Sequence, residues 1–476
     1  MTEMPESIAV ESDVSITEAM RVIDRNALGI VFVTSDSGEL VGVATDGDIR
    51  RGILEGHELD DAVKRIMNDS PVRVYESWSE ERVQDYVDQS EVSDKMPPQG
   101  ALTAPVIDDE DRVVDYVYLS ENGAQRPTRK TGSSSGSAET VLVIGGAGYI
   151  GSALCRELLE NGYTVRVLDT LLYGDYGISD IRDHDRFTLV EGDMRSIETV
   201  VEGIKGADAV VHLGALVGDP ASGIDPQKTL EINYHSTKMI AEVCKYHQIN
   251  RLIFASTCSV YGKAEHDELL TESSSLNPVS LYAQSKIQSE QALLDMEDEN
   301  FSPTVFRMAT IYGLAPRMRF DLVVNILSAK AHFEGTVPIF GGDQYRPFVH
   351  VRDAARAYLD CLEAPISDVS GTVFNIGSND QNHRVIEVGE IVSESFPSAD
   401  LDHQADKEDE RSYQVDFTRA AEVLGFEPDW TVRSGVEDIK DALEAGEFDD
   451  YTLDKYSNYK TVSNNMDDLR RSPAVQ

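Results

Sequence analysis

The sequence has few basic residues for its size. It contains 42 lysines and arginines against 85 aspartates and glutamates, which gives a formal net charge of −43 over 476 residues. A surface this acidic repels phosphate backbones and anionic membranes, so we expect neither nucleic acid nor a membrane among the partners. The acidic residues are spread along the chain. The size of the imbalance favours a halophilic protein, in which salt screens the self-repulsion, over an ordinary acidic enzyme.

Cysteine and long apolar runs are also scarce. The four cysteines, at positions 155, 244, 258 and 361, lie far apart and fit no metal-binding spacing, so we predict no metal site and reduced thiols. No window holds the roughly 18 apolar residues that a membrane span needs. The first residues, MTEMPESIAVESD, lack the basic region and apolar core of a signal peptide. We therefore expect a soluble, cytoplasmic protein.

The composition divides the chain into four parts. Residues 121–139, ENGAQRPTRKTGSSSGSAE, are rich in glycine and serine and predict a flexible linker between a domain at 1–120 and a larger one at 140–445. Residues 446–476 predict a polar tail that is only partly ordered. In the larger domain, short runs rich in valine, isoleucine and leucine alternate with helical stretches, which predicts an α/β fold with a doubly wound parallel sheet.

A glycine-rich loop opens the larger domain. Gly145, Gly148 and Gly151 follow a predicted strand and begin a helix. Such glycines permit a tight turn, a close approach to a pyrophosphate and tight helix–strand packing. Asp169 ends the next strand, where a carboxylate accepts both hydroxyls of an adenosine ribose and repels a 2′-phosphate, so the pattern predicts NAD and not NADP.

A second motif lies downstream in SLYAQSK. Tyr282 and Lys286 are four residues apart and share one helix face. An ammonium group near a phenol favours the phenolate, which would bring Tyr282 towards acting as a base near neutral pH. Thr257, at the end of a strand, is placed to hydrogen-bond a substrate hydroxyl.

These motifs together resemble the NAD-dependent epimerase/dehydratase family, the extended short-chain dehydrogenases that act on nucleotide sugars. The resemblance implies a Rossmann-type sheet with a small C-terminal substrate subdomain, and Thr257, Tyr282 and Lys286 as catalytic residues. It also implies that Tyr282 and Lys286 contact the cofactor. Further cofactor contacts are implied for Tyr149, Ile150, Asp193, Met194, Leu213, Ala215 and Asn233. Asn233 would support the helix that carries Tyr282. The resemblance also implies substrate contacts: Thr257, Thr310, Arg346 and Arg411.

The sequence departs from the family pattern at several positions. Family 4,6-dehydratases carry Asp-Glu after the catalytic threonine, whereas this chain has Cys258 and Ser259. That difference favours an epimerase. Thr310 stands where many members have an asparagine facing the substrate diphosphate, so the sugar nucleotide is left open. Arg317 and Arg319 are either further phosphate or sugar contacts or ordinary surface arginines.

The resemblance therefore implies a nucleotide-sugar epimerase, similar to UDP-glucose 4-epimerase, that works through a transient keto sugar and serves surface-glycan synthesis. Tyr282 would take a hydroxyl proton while hydride leaves the same carbon for NAD, supported by Lys286. The alternatives are a 4-keto reductase, a decarboxylase, or a non-catalytic NAD or nucleotide sensor. His212 and His350 are interpreted as structural.

The first 120 residues contain an internal repeat of about 60 residues. APVIDDEDRVVDYVYLS, in the second copy, echoes IVFVTSDSGELVGVATD in the first. The repeat resembles a pair of cystathionine-β-synthase (CBS) domains of α+β type. In that family Thr45 would face phosphate and Asp48 ribose of an adenine nucleotide, but Tyr118 and Glu121 replace this pair in the second copy. The domain is therefore either a nucleotide sensor or a dimerisation module, and we expect a homodimer.

Overall fold

The computed structural model describes residues 8–26, 30–35, 37–54, 56–57, 59–78, 80–87, 102–108, 110–120, 123–125, 139–263, 269–404 and 412–471. The chain forms two compact units, Met1–Ser137 and Ala138–Gln476. Each unit has hydrophobic clusters of its own.

The first unit contains one strand arrangement twice. In its first half, β1 (Ala9–Glu11), β2 (Ile30–Thr34) and β3 (Leu40–Thr45) form a sheet, accompanied by helices α1 (Ile16–Asn26) and α2 (Asp46–Leu54). In its second half, β4 (Val74–Tyr75), β5 (Leu102–Ile107), β6 (Val113–Ser120) and β7 (Gly123–Gln125) form another sheet, accompanied by helix α3 (Glu80–Val87). Each sheet pairs its first two strands in parallel and its second and third antiparallel. The two halves thus share the topology that the sequence repeat predicts.

Strand β7 lies in the segment that composition assigned to the linker. It pairs antiparallel with the end of β6, from Ser120 opposite Gly123 to Tyr118 opposite Gln125. Pairing at a sheet edge uses backbone groups, so it does not require the apolar side chains on which the prediction relied. Positions 126–138 of the predicted linker are outside the described residues.

The second unit is built on a seven-stranded parallel sheet. Its order is β10-β9-β8-β11-β12-β14-β18, so the order reverses between β8 and β11, and ligands bind at the carboxyl ends of strands at such a reversal. The strands of the unit are β8 (Thr140–Ile144), β9 (Thr164–Asp169), β10 (Phe187–Glu191), β11 (Ala209–His212), β12 (Arg251–Thr257), β13 (Leu269–Leu270), β14 (Ser302–Met308), β15 (Thr310–Tyr312), β16 (Thr336–Phe340), β17 (Tyr345–His350), β18 (Thr372–Ile376), β19 (Asn382–Arg384), β20 (Asp400–Gln404) and β21 (Gln414–Val415).

Helices cover both faces of this sheet. The described α-helices of the whole unit, including those of the smaller lobe, are α4 (Tyr149–Glu160), α5 (Ile197–Ile204), α6 (Asp219–Ser222), α7 (Pro226–Leu230), α8 (Ser236–Tyr246), α9 (Leu281–Asp295), α10 (Val323–Glu334), α11 (Val351–Glu363), α12 (Ile366–Val369), α13 (Val385–Ser395), α14 (Thr418–Leu424), α15 (Val432–Glu444), α16 (Asn458–Asn464) and α17 (Met466–Arg470). None of the described helices is both long enough and apolar enough to cross a membrane.

Alternation along β8 shows how the sheet is buried. Val141 and Val143 belong to the hydrophobic cluster on one face, and Leu142 and Ile144 to the cluster on the other. Successive side chains of a strand point to opposite faces, so a strand that is apolar throughout needs cover on both sides. The prediction of a doubly wound parallel sheet is confirmed.

A smaller lobe follows the main sheet. Its strands β15, β17 and β19 form one sheet, β16 pairs with β20, and β13 pairs with β21. Helices α10, α13 and α15 pack in a third hydrophobic cluster with residues such as Phe320, Phe348 and Val436. The strands β15 and β16 lead from the main sheet into this lobe, which corresponds to the expected substrate subdomain.

Residues 446–471 are folded where the composition predicted a polar tail. Val462, Met466 and Leu469 are buried in the cluster that also contains Leu142 and Ile144. These three residues are four and three positions apart, the spacing of an apolar helical stripe, and the structure distributes them over the two successive helices α16 and α17. Average composition does not show this stripe.

Candidate active site

The glycine loop connects β8 to α4. Gly145 has a φ of 84°, which residues with side chains rarely adopt. A Cβ at Gly151 would lie 2.4 Å from the carbonyl oxygen of Gly145. The helix backbone at Gly151 therefore packs directly against the backbone of the glycine loop, which leaves no space for a side chain. Gly148 caps α4, and Tyr149 and Ile150 begin it. The free amide groups of the first helical turn therefore adjoin the loop, as in sites for phosphate.

A cavity of about 870 Å³ opens beside this loop, at the carboxyl ends of the strands. Most of the predicted site residues line it, from both the main sheet and the smaller lobe. Those residues are Gly145, Gly148, Tyr149, Ile150, Gly151, Asp169, Asp193, Met194, Leu213, Ala215, Thr257, Tyr282, Lys286, Thr310 and Arg346.

Asp169 is held at the end of β9. Its carboxylate accepts hydrogen bonds from the backbone N–H of Ala147 at 3.0 Å and of Leu171 at 2.8 Å. Burial raises the pKa of Asp169, and the two backbone amides act in the opposite direction. The side chain is thus fixed next to the glycine loop.

Asp193 and Met194 follow β10. The carboxylate of Asp193 forms an ion pair with Arg195, with 2.6 Å between the nearest nitrogen and oxygen. Arg195 also donates a hydrogen bond to the carbonyl oxygen of Leu469, at 2.8 Å. This arginine therefore connects the expected adenine contact to the last described helix.

Asn233 does not line the cavity, although the sequence assigned it to the cofactor. It is buried in the single π-turn that precedes α8. Its amide exchanges hydrogen bonds with the backbone of Leu216 and donates to the hydroxyl of Ser285 at 3.2 Å. Because Ser285 lies on α9, Asn233 positions the helix that carries Tyr282, which is the supporting role that the family resemblance implies.

The three expected catalytic residues share one wall of the cavity. Thr257 ends β12, while Tyr282 and Lys286 lie on successive turns of α9, which Ser280 caps. The oxygen of the Thr257 side chain accepts a hydrogen bond from the backbone N–H of Ser259 at 3.1 Å. Its own hydrogen can then be donated to a ligand.

Lys286 is almost completely buried. Its Nζ donates to the carbonyl oxygen of Ala255 at 2.7 Å and lies 4.5 Å from the centre of the Phe254 ring. Burial lowers the pKa of Lys286 to about 7, while Glu290 acts to raise it. Burial and Lys286 together lower the pKa of His212 to about 3, so this histidine is neutral and structural, as expected.

Burial also dominates at Tyr282, where it raises the pKa of the phenol. This is opposite to the direction that the Tyr-x-x-x-Lys spacing suggested. The Lys286 ammonium lies 6.0 Å from the centre of the Tyr282 ring, whereas Arg319 is the main group that lowers this pKa. Loss of water outweighs the nearby positive charges in the protein alone.

The substrate-side residues lie across the cavity. Thr310 begins β15, and Arg346, on β17, is buried with its guanidinium 5.4 Å from the centre of the Tyr413 ring. Arg411, the second arginine predicted to bind substrate, is outside the described residues. Arg317 and Arg319 are both buried and line the cavity, so reading them as surface arginines is wrong.

In the first unit, Thr45 and Asp48 form hydrogen bonds with each other. The Thr45 hydroxyl donates to the Asp48 carboxylate at 2.6 Å, and the backbone N–H of Asp48 donates to the Thr45 hydroxyl at 3.2 Å. Arg51 is paired with the same carboxylate. This reciprocal arrangement begins helix α2 in the manner of a capping box.

Sequence reasoning missed several residues that line the cavity. Tyr173 follows β9 in a loop, and Asn458 and Leu469 come from the C-terminal segment. They belong to none of the motifs. A signal was available for Leu469, since it completes the apolar stripe of the last helices, but nothing in the sequence pointed to Tyr173 or Asn458.

The comparisons with known proteins agree with this geometry. The model of the NAD dependent epimerase/dehydratase family matches residues 141–377. The low-salt glycan biosynthesis protein Agl12 of Haloferax volcanii is 30% identical over 306 residues, which cover 62% of this chain and 96% of that protein. The chain belongs to the NAD-dependent epimerase/dehydratase family.

Other relatives show how broad the family is. The uncharacterized UDP-glucose epimerase YtcB of Bacillus subtilis is 28% identical, with 62% of this chain and 95% of that protein covered. A UDP-glucuronic acid decarboxylase of Arabidopsis thaliana is also 28% identical, with 62% of this chain and 66% of that protein covered. The CBS domain model matches residues 1–55, which confirms the first copy of the repeat.

Solved structures match the fold of the second unit. The UDP-glucuronic acid 4-epimerase of Bacillus cereus, in complex with UDP-glucuronic acid and NAD, is 26% identical with a TM-score of 0.58. The match covers 64% of this chain and 99% of that one. MoeE5, in complex with UDP-glucuronic acid and NAD, is 29% identical with a TM-score of 0.57 over 64% of this chain and 99% of its own.

Proposed function

We propose that the chain is an NAD-dependent nucleotide-sugar epimerase that inverts one carbon through a transient keto sugar. The observation that carries the proposal is the convergence of Thr257, Tyr282 and Lys286 on the cavity that the glycine loop also lines. A dinucleotide and a second nucleotide-linked substrate would therefore meet at one catalytic wall. The structural relatives bound to NAD and UDP-glucuronic acid support this arrangement.

The residues present fit NAD. Gly148, at the cap of α4, has no side chain to separate the first turn of the helix from a diphosphate, and Asp169 offers a fixed carboxylate for the adenosine ribose. Asp193 and Met194 would border the adenine, while Lys286 would hold the nicotinamide ribose. When bound, NAD supplies a hydride acceptor and donor that the amino acids lack.

Three side chains would do the protein's part of the chemistry. Thr257 donates a hydrogen bond that orients the sugar hydroxyl. Tyr282 would take the proton from this hydroxyl when its carbon is oxidised and would return a proton to the same oxygen when the keto sugar is reduced from its other face, with NAD, when bound, accepting and supplying the hydride. Lys286, when protonated, would place positive charge near the phenol. Because burial raises the pKa of Tyr282, the oxidised cofactor's own positive charge would help the phenolate to form.

The environment of Cys258 favours epimerisation over dehydration. The thiol is buried, donates to the carbonyl oxygen of Arg307 at 3.2 Å, and has a pKa that burial raises. Ser259 lines the cavity, but its hydroxyl does not ionise near neutral pH and is a weak acid and a weak base. Elimination of water requires an acid and a base at the sugar, and neither position supplies one.

Incubation with UDP-, dTDP- and GDP-sugars at high salt, with products resolved by chromatography, tests the proposal. An inverted sugar formed without net NADH consumption is expected. Net consumption of NADH would instead show a keto reductase, release of carbon dioxide a decarboxylase, and bound NAD without any turnover a sensor. Thr310, Arg346 and Arg411 are proposed to contact the substrate.

Four wider features belong to the same proposal. The similarity to a glycan biosynthesis protein supports a role in surface-glycan synthesis. The front unit is proposed as a regulatory or assembly domain, with Thr45 and Asp48 as its adenine-nucleotide site. A homodimer and a cytoplasmic location remain predictions of the sequence.

A further inference from the structure

The C-terminal segment, residues 451–471, runs along the cavity. The backbone N–H of Phe320, in the smaller lobe, donates to the carbonyl oxygen of Tyr456 at 3.0 Å. At the other end, Arg195 beside the main sheet donates to the carbonyl oxygen of Leu469 at 2.8 Å. The segment is thus fastened to both parts of the second unit, and Asn458 and Leu469 line the cavity between these points.

Three side chains that line the cavity carry buried polar atoms without a hydrogen bond. Among the described residues, these atoms are the phenol oxygen of Tyr173, Nε and one Nη of Arg317, and Oδ1 of Asn458. Arg317 and Asn458 are 1% and 4% exposed. All three residues line the cavity. Buried polar groups in folded proteins nearly always have partners, so donors and an acceptor collected in one cavity indicate a polar ligand.

Arg317 is the most informative of the three. Its guanidinium carbon lies 4.3 Å from the centre of the Tyr173 ring, and burial together with Arg319 lowers its pKa. The Tyr176 side chain interacts with this guanidinium, but the N–H groups on Nε and one Nη are left without a hydrogen bond, which is unfavourable in a buried position. An anion that receives its free N–H groups would remove that penalty, and a phosphate oxygen suits the planar donor geometry.

Two of these three residues, Arg317 and Tyr173, lie on the side of the cavity that the glycine loop lines, where the cofactor is expected. The backbone N–H of Arg317 donates to the hydroxyl of Ser152, in the first turn of α4, at 3.2 Å. A Cβ at Gly177 would meet Arg317 at 2.6 Å and the carbonyl oxygen of Ala147 at 3.1 Å, so one glycine brings the arginine up to the glycine loop. Tyr173 follows Asp169 by four residues.

Asn458 is held independently of any ligand. Its backbone N–H donates to the carboxylate of Asp321 at 2.8 Å, and the same carboxylate accepts from Nε of Arg319 at 2.9 Å. The backbone of Asn458 is therefore fixed at the cavity wall, and its side chain starts from a defined position. Its free Oδ1 is an acceptor, which a ribose hydroxyl would satisfy.

We propose that Arg317, Tyr173 and Asn458 bind the diphosphate and an adjoining ribose of the dinucleotide, so that the C-terminal segment forms part of the cofactor site. Arg317 donates to a diphosphate oxygen, and Asn458 accepts from a ribose hydroxyl. The segment thereby retains the cofactor between turnovers. This inference concerns cofactor binding and is independent of which sugar reaction the protein catalyses.

The test uses full-length Arg317→Met and Asn458→Leu, with Tyr459→Ala as the matched control, because Tyr459 is an exposed neighbour in the same helix. The protein is stripped of cofactor, and calorimetry gives the dissociation constants for NAD and for UDP. Thermal unfolding is followed with and without NAD. Neither readout requires turnover.

Both cavity variants should bind NAD about tenfold or more weakly, as expected for the loss of a buried hydrogen bond to a charged or polar group. The control should bind as the wild type does. The NAD-free Arg317→Met protein should unfold at the same temperature as the wild type or higher, since a buried charge with two unsatisfied nitrogen atoms is gone.

Unchanged NAD affinity in both variants would overturn the proposal. So would a loss of UDP binding with NAD binding intact, which would place the three residues in the substrate site. If Arg317→Met unfolds before NAD is added, the arginine is structural, and the proposal then stands or falls with Asn458→Leu.

Discussion

At the scale of single residues, a substitution of Tyr282 should affect turnover without affecting cofactor binding. The proposed mechanism gives this phenol the only proton transfer at the sugar, while the cofactor contacts come from the glycine loop and from Asp169. Tyr282→Phe removes one oxygen and leaves the ring packed in α9. We expect turnover to fall about 10²- to 10⁴-fold, the usual contribution of general acid–base catalysis, with NAD still bound.

Initial rates and the NAD content of the purified variant check this prediction. Tyr246→Phe is the matched control, because Tyr246 is 84% exposed at the end of α8. A Tyr282→Phe enzyme that works at close to the wild-type rate would remove Tyr282 from the mechanism.

Lys286 should leave a trace in the pH dependence of stability. Burial lowers its folded-state pKa to about 7, below the value of about 10.4 for an unfolded lysine. Between these values the unfolded chain binds the additional proton, so the free energy of unfolding rises with pH across this window. Lys286→Met removes the effect, and His212 does not interfere because its pKa is about 3.

Urea unfolding of the wild type and of Lys286→Met at several pH values between 7 and 10 measures the difference. The stability of the wild type should increase relative to the variant as the pH rises. Parallel curves, or a relative decrease, would mean that Lys286 is not desolvated in the folded protein.

At the scale of elements, the presence of Thr45 and Asp48 at the start of helix α2 has two possible explanations. One is structural, as a helix cap, and the other is the proposed binding of an adenine nucleotide. Thr45 and Asp48 satisfy one another at the helix start, which is a sufficient reason for both residue types. Asp48→Ala should lower the stability of the first unit by about 1 kcal/mol through loss of the cap. Asp60→Ala is the control, because Asp60 is an exposed aspartate of the same unit.

Thermal unfolding of the full chain with and without AMP, ADP or ATP separates the two explanations. A nucleotide site predicts a stabilising shift in the wild type that Asp48→Ala removes. A cap alone predicts the same loss of stability in the variant and no shift with any nucleotide.

At the scale of the whole molecule, the net charge of −43 dominates the response to salt. Like charges that repel each other in the folded state are screened as the Debye length falls from about 10 Å at 0.1 M to about 3 Å at 1 M salt. We therefore expect the unfolding temperature to rise steadily with potassium chloride. A calorimetric scan that shows no rise, or a decrease, between these concentrations would contradict adaptation to high salt.

The sequence by itself determined the local parts of this protein. Apolar strands, the glycine spacing and Asp169 predict the Rossmann sheet and its dinucleotide loop, because each depends on residues that are close together in the chain. The same is true of Tyr282 and Lys286, since helix geometry alone places them on one face. The repeat at the front of the chain was visible because it is a similarity between two stretches of sequence, which needs no tertiary contact to be recognised.

Tertiary structure decided what depends on distant residues. Burial fixes the direction of the pKa shifts at Tyr282 and Lys286, and desolvation cannot be read from neighbours in sequence. Asn233 became a support for α9, Arg317 and Arg319 became cavity residues, and Asn458 reached the cavity across more than a hundred residues of chain. Packing of the whole fold places those groups, so the motifs around them carry no signal of it.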